Sequence, residues 1–219
     1  MENEREQQIQ KLQKTFAEWI AEHVSADMLQ SSETMPEVLK MIAEDRRQQL
    51  EEVIELLGPE AEQGLRLSLT SGDRALGDIW LYVWPDKSLG IRPTIHGYEE
   101  SSGTLYILRG SANEEVYSAL KDEVGGRPTP ALRVPSFPTQ GSAVTVPAHY
   151  IHSLSGADGG GTLATLNGFF PALKKVEIFQ EEADNGHLSL RRVGALPVDE
   201  HTTTIDFSAL PPQEHDRQI

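Results

Sequence analysis

Cysteine is absent from all 219 residues. Neither a disulfide nor a thiolate-bound metal can form, so any metal must be held by His, Asp, Glu or Tyr. Positive charge is scarce: 19 Lys and Arg face 34 Asp and Glu, giving a formal charge of −15 and a pI near 4.8. That balance argues against a nucleic-acid backbone or an anionic membrane surface as partner and leaves small molecules and proteins. No apolar run approaches the roughly 18 residues that span a bilayer. The opening Met-Glu-Asn-Glu-Arg-Glu lacks the positive start of a signal peptide, so the expected location is cytoplasmic. No internal repeat is evident, and the length suits one domain with appendages.

What is present divides into three stretches. Residues 1–60 read as helical. Ile9, Leu12, Phe16, Trp19, Ile20 and Val24 recur at helical spacing among Glu, Gln and Lys. A second helical run has Ser32 or Thr34 as cap and Pro36 in its first turn, and carries Val38, Leu39, Ile42, Leu50, Val53, Ile54 and Leu57 before Gly58-Pro59. These stripes are packing faces and are assigned no chemistry. Residues 61–194 change texture to short apolar and β-branched runs between Gly, Pro, Asp and Ser. The expected strands are Leu65–Leu69, Asp78–Trp84, Thr94–Ile95, Thr104–Arg109, Glu115–Ser118, Ala143–Val146, Leu163–Phe169 and Lys175–Gln180. Eight short strands in this space predict a closed or sandwiched β architecture. Lys121–Ser142, with four prolines, reads as a long connection, and residues 195–219 as an extended, Pro-rich tail.

Two histidines stand in separate strand-like segments, His96 in Thr-Ile-His-Gly-Tyr-Glu-Glu and His152 in Pro-Ala-His-Tyr-Ile-His. Neutral imidazole is the commonest metal ligand, and two strands of one barrel can aim two rings into one pocket. A third ligand has four candidates. Glu100 and Glu99 lie four and three residues beyond His96 and could fold back to complete the two-His-one-carboxylate set of non-haem Fe(II). Tyr98 returns to the face of His96 after two strand residues, though a phenol's ordinary pKa near 10 means that a metal would have to displace its proton. His149, three residues from His152, falls on the opposite face of a regular strand. The expected set is His96, Glu100 and His152. Arg66, in an otherwise apolar strand, offers an inward fork for a carboxylate, and Arg92 is a second anion anchor.

The run from His96 to Gly110, followed by Pro147-Ala-His-Tyr-Ile-His152, resembles the two metal motifs of the cupin superfamily. Within it, Trp84-Pro85, the two preceding helices and Phe169-Phe-Pro171 are most similar to cysteine dioxygenase and related thiol dioxygenases. The resemblance covers residues 1 to 180. It implies a mainly β fold, a small cupin-type barrel (jelly roll) preceded by two N-terminal α-helices. It also implies Fe(II) as cofactor, with His96 and His152 as the first and last ligands and Arg66 as the grip on the substrate carboxylate. The implied reaction oxidises a small anionic thiol such as cysteine with O2. Tyr98 stands in place of the family's middle histidine, Phe169 in place of the tyrosine near the substrate, and Asn167 in place of its histidine neighbour. With Gly103 where some members carry cysteine, the cysteine–tyrosine cross-link cannot form. Two other readings stay open: a metal cupin that uses no O2, such as an isomerase or lyase, and a degenerate, non-catalytic ligand-binding barrel. Oligomeric state is not legible.

Overall fold

The helical periodicity at the start of the chain becomes, among the described residues of the computed structural model, three helices: α1 (Glu2–His23), α2 (Met35–Asp45) and α3 (Arg47–Leu57), with a 3-10 turn over Ala26–Leu29. The structure describes residues 2–58, 63–68, 77–84, 93–98, 100–120, 123–157, 161–184, 186–199 and 201–206. Expectations placed on Pro59, Leu69, Pro85, Arg92, Glu99 and residues 207–219 lie outside the described residues. The second expected helix is broken at Arg46, whose φ of −117° and ψ of 17° leave the helical well. Beyond the break, Glu51 and Glu55 of α3 both grip Arg109, the Glu55 contact at 2.7 Å. Thr34 does occupy the N-cap position and Pro36 the first turn of α2. The Thr34 hydroxyl, however, donates to the carbonyls of Met28 and Ser31 instead of accepting from the helix. Gly58 ends α3 at a φ of 76°, which costs a residue without a Cβ little.

Among the described residues thirteen strands follow: β1 (Gln63–Arg66), β2 (Asp78–Trp84), β3 (Ile95–Tyr98), β4 (Ser102–Arg109), β5 (Ala112–Tyr117), β6 (Thr129–Pro130), β7 (Arg133–Ser136), β8 (Ala143–Val146), β9 (Ile151–Gly156), β10 (Leu163–Phe170), β11 (Lys175–Asp184), β12 (His187–Pro197) and β13 (Thr204–Asp206). They form two antiparallel sheets, ordered β13-β1-β2-β10-β4-β8 and β6-β12-β11-β3-β9-β5-β7. Within these, β2-β10-β4-β8 faces β3-β9-β5-β7, and successive strands pass back and forth between the sheets. This is the strand order of an eight-stranded jelly roll, the cupin-type architecture.

Strand β2 explains the layering. Its residues Asp-Ile-Trp-Leu-Tyr-Val-Trp are all buried, because both faces are covered. Ile79, Leu81 and Val83 pack with Leu39, Ile42, Val53 and Ile54 of the helices, while Trp80, Tyr82 and Trp84 turn into the space between the sheets. Strand β10 does the same, with Ala164 and Leu166 toward the helices and Leu163 and Phe169 toward the interior. Gly168 makes close approach possible: a Cβ there would lie 2.2 Å from the Sδ of Met35 on α2.

The expected long connection contains two strands, β6 and β7, and the expected C-terminal tail holds the end of β12 and all of β13. β12 pairs with β11 along its whole length, and Thr204–Asp206 completes the first sheet against β1. No helix among the described residues is long and apolar enough to cross a membrane.

Candidate metal centre

Period-two alternation decides which side chains reach the interior. On β3, Ile95 packs on the outer face of its sheet while His96 and Tyr98 point inward. On β9, Ile151 packs outward and Leu154 inward, so His152 is also inward. His96 and His152 are directly paired across β3 and β9. Their ring centroids lie 4.5 Å apart, and the residues are only 1% and 0% exposed.

Tyr98 joins them. Its hydroxyl oxygen lies 3.1 Å from the Nε2 of His96 and 3.1 Å from the Nε2 of His152. Both rings are anchored at their other nitrogen. His96 donates Nδ1–H to the Thr94 carbonyl at 2.9 Å, and Nδ1 of His152 lies 3.2 Å from Oε1 of Glu114. A carbonyl only accepts, as does an ionised carboxylate, so the proton of each neutral ring is assigned to Nδ1 and the lone pair to Nε2. Two Nε2 lone pairs and one phenolic oxygen therefore converge.

Electrostatics favour a neutral ring at His96. Burial, reinforced by repulsion from His152 and opposed by the Thr94 carbonyl, lowers the pKa of His96 to about 3. Burial alone would raise the Glu114 carboxyl, but hydrogen bonding and attraction to His152, with the Ser136 hydroxyl, outweigh it and hold the group below its ordinary value. Glu114 is thus a carboxylate, 2% exposed. Sequence reasoning missed it, because a Glu among Asn113-Glu-Glu115 reads as solvated. The signal was alternation: Ala112 and Glu114 share the inward face of β5.

The other expected site residues are dispersed. Glu100 is not brought to the histidines: its side chain is 72% exposed and sits 3.4 Å from Lys174. His149 is exposed in the turn before β9. Arg66 does face inward, opposite Trp80, but the carboxylate in its fork is the protein's own Asp78 at 2.9 Å. Burial raises the Asp78 pKa against the pull of Arg66, the Trp80 indole and the Leu173 amide. Phe169 packs edge-on against Tyr98, centroids 4.6 Å apart, and Trp84 stacks on His96 at 6.2 Å. Asn167 is buried and donates to the Thr165 hydroxyl, which also accepts from the Trp84 indole.

Among the described residues, no three His, Asp or Glu side chains are grouped to hold a metal. The Tyr98 hydroxyl is the third polar group that the fold brings to the two Nε2 atoms. Two donors bound to one ion at about 2.1 Å each lie about 3.0 Å apart at an octahedral angle and about 3.4 Å apart at a tetrahedral one. The Nε2-to-oxygen separations of 3.1 Å are hydrogen-bond lengths and lie close to the octahedral spacing.

No protein-family model matches the sequence, and no curated protein is significantly similar to it. Among solved structures, hydroxypropylphosphonic acid epoxidase from S. wedmorenis is similar at 14% identity, with 43% of this chain and 42% of that chain covered and a TM-score of 0.32. A structure of FeII HppE gives 14% identity, 43% of each chain and a TM-score of 0.33. The Schizosaccharomyces pombe Cnp3 cupin domain gives 10% identity, 43% of this chain, 52% of that one and 0.32. The overlap thus spans less than half of the epoxidase and about half of the cupin domain.

Proposed function

We propose that this chain is a metal-dependent cupin-type oxidoreductase whose ion, Fe(II), is held by His96, His152 and Tyr98. The observation that carries the reading is the convergence of two Nε2 atoms on one phenolic oxygen. Tyr98 has one hydroxyl proton and can donate it to one ring at a time, whereas a cation satisfies both nitrogens and the oxygen together. Two imidazoles and one hard oxygen are the donor set of non-haem Fe(II) sites, with phenolate standing in for carboxylate. Such an iron, when bound, supplies redox chemistry toward O2 and a Lewis acid for a coordinating anion.

The chain's own residues would do the rest. Trp80, Tyr82, Trp84 and Phe169 line the interior and keep water out. Arg66 places a cation on the same inner face, now answered by Asp78, which an anionic substrate group would have to replace. The net reaction proposed is a small thiolate plus O2 giving a sulfinate, with both oxygen atoms ending on sulfur. Oxygen uptake with a panel of small thiols including cysteine, alongside metal analysis, tests it. Iron with thiol-dependent uptake is expected; bound metal with anaerobic turnover would instead favour an isomerase or lyase.

A closed, non-catalytic barrel is the second reading. What favours it is the packing: Trp84 and Phe169 lie against His96 and Tyr98, and His96, Tyr98 and His152 are 1%, 3% and 0% exposed. Protein with neither metal nor Fe(II) affinity is the outcome that reading expects.

A further inference from the structure

We propose that Glu114 is a positioning residue for this centre, setting through the His152 ring which nitrogen is offered to an ion. The inference rests on the metal reading above and adds to it a residue outside the donor set. Glu114 is held at both oxygens by strands on either side of β5. Oε1 lies 3.2 Å from Nδ1 of His152 on β9, and Oε2 accepts the Ser136 hydroxyl of β7 at 2.6 Å. A carboxylate pinned this way can only accept at Nδ1, which keeps the His152 proton there and its lone pair at Nε2, toward Tyr98. With the opposite tautomer, His152 would present an N–H to Tyr98 and have no lone pair for a metal. Stability does not account for Glu114, since burying a carboxylate carries a desolvation cost that apolar residues of similar volume avoid. The carboxylate, histidine and metal arrangement gives it a reason to be there.

The test compares wild type, Glu114→Leu, Glu114→Gln and Ser136→Ala by Fe(II) and Zn(II) titration, and by 15N NMR of the His152 ring in metal-free protein. Wild type is expected to show the Nδ1–H tautomer. Glu114→Leu is expected to shift toward Nε2–H and lose roughly 10- to 100-fold in metal affinity. Glu114→Gln, which keeps an acceptor oxygen, should retain the tautomer and recover most of the affinity. Ser136→Ala should give a smaller loss, and it carries the test if Glu114→Leu does not fold. An unchanged tautomer and affinity in the leucine variant, or in Ser136→Ala when that variant stands in, overturns the role of Glu114. Absence of metal binding by wild type overturns the metal reading instead, and the tautomer comparison still decides what Glu114 does.

Discussion

Gly103 on β4 and Tyr98 on β3 meet across the barrel so closely that a Cβ on Gly103 would lie 2.8 Å from the Tyr98 ring and 3.2 Å from Phe169. The missing side chain is what lets the tyrosine reach both histidines. Gly103→Ala must push the Tyr98 ring or its Phe169 neighbour aside. The variant should lose roughly tenfold or more in metal affinity and about 1–3 kcal/mol in stability from overpacking. Metal titration and denaturant unfolding check both; wild-type affinity would show that Tyr98 does not need its present place.

The buried Arg66–Asp78 pair gives a stability prediction. Removing one partner leaves the other group buried without its counterpart, so Arg66→Met and Asp78→Asn should each cost about 3–5 kcal/mol. The double variant should cost clearly less than the sum. Denaturant midpoints of the four proteins form the cycle, and additive losses would mean that the 2.9 Å contact is not an energetic pair.

Acid should destabilise the metal-free protein through His96. Its pKa falls from 6.5 unfolded to about 3 folded. Above pH 6.5 the ring is neutral in both states and contributes no pH dependence. Below it the unfolded chain takes up a proton that the folded chain refuses, so stability falls on the order of 1.4 kcal/mol per pH unit once the unfolded histidine is protonated. Measured from pH 6.5 to 5, above the ordinary range of Glu114, the slope in His96→Gln should be shallower by about one proton. Equal slopes would remove His96 as the cause.

Glu100 should be dispensable. Its pairing with Lys174 is exposed, so Glu100→Gln should change stability by less than about 1 kcal/mol and leave metal affinity at the wild-type value. A tenfold loss of affinity would return it to the ligand set.

Much of this was legible from residues, for reasons that can be named. The unbroken apolar run of β2 signals a strand covered on both faces, and the helical stripes of residues 9–24 and 38–57 supply the cover. His96 and Tyr98 share a face because strands alternate, so Tyr98 was visible as a candidate donor. The break at Arg46 was not visible, since neither Gly nor Pro marks it and the apolar stripe runs through it. Strands β12 and β13 hide among Pro, Gly and acidic residues, and only pairing with β11 and β1 makes them strands. Glu114 depends on register: His152 lies opposite Val116, which puts Glu114 one inward position along, and no local pattern carries that pairing. Arg66 reads as an inward cation with a carboxylate partner, but its partner is Asp78, twelve positions away on the next strand.

Metal stoichiometry of the wild type beside Tyr98→Phe, each purified and then equilibrated with Fe(II) under anaerobic conditions, tests the central claim most directly. Phenylalanine keeps the ring against Phe169 and removes only the oxygen. The expected result is close to one ion per chain in the wild type and a large loss in the variant. Full stoichiometry in Tyr98→Phe, or none in the wild type, would contradict a centre built from His96, Tyr98 and His152.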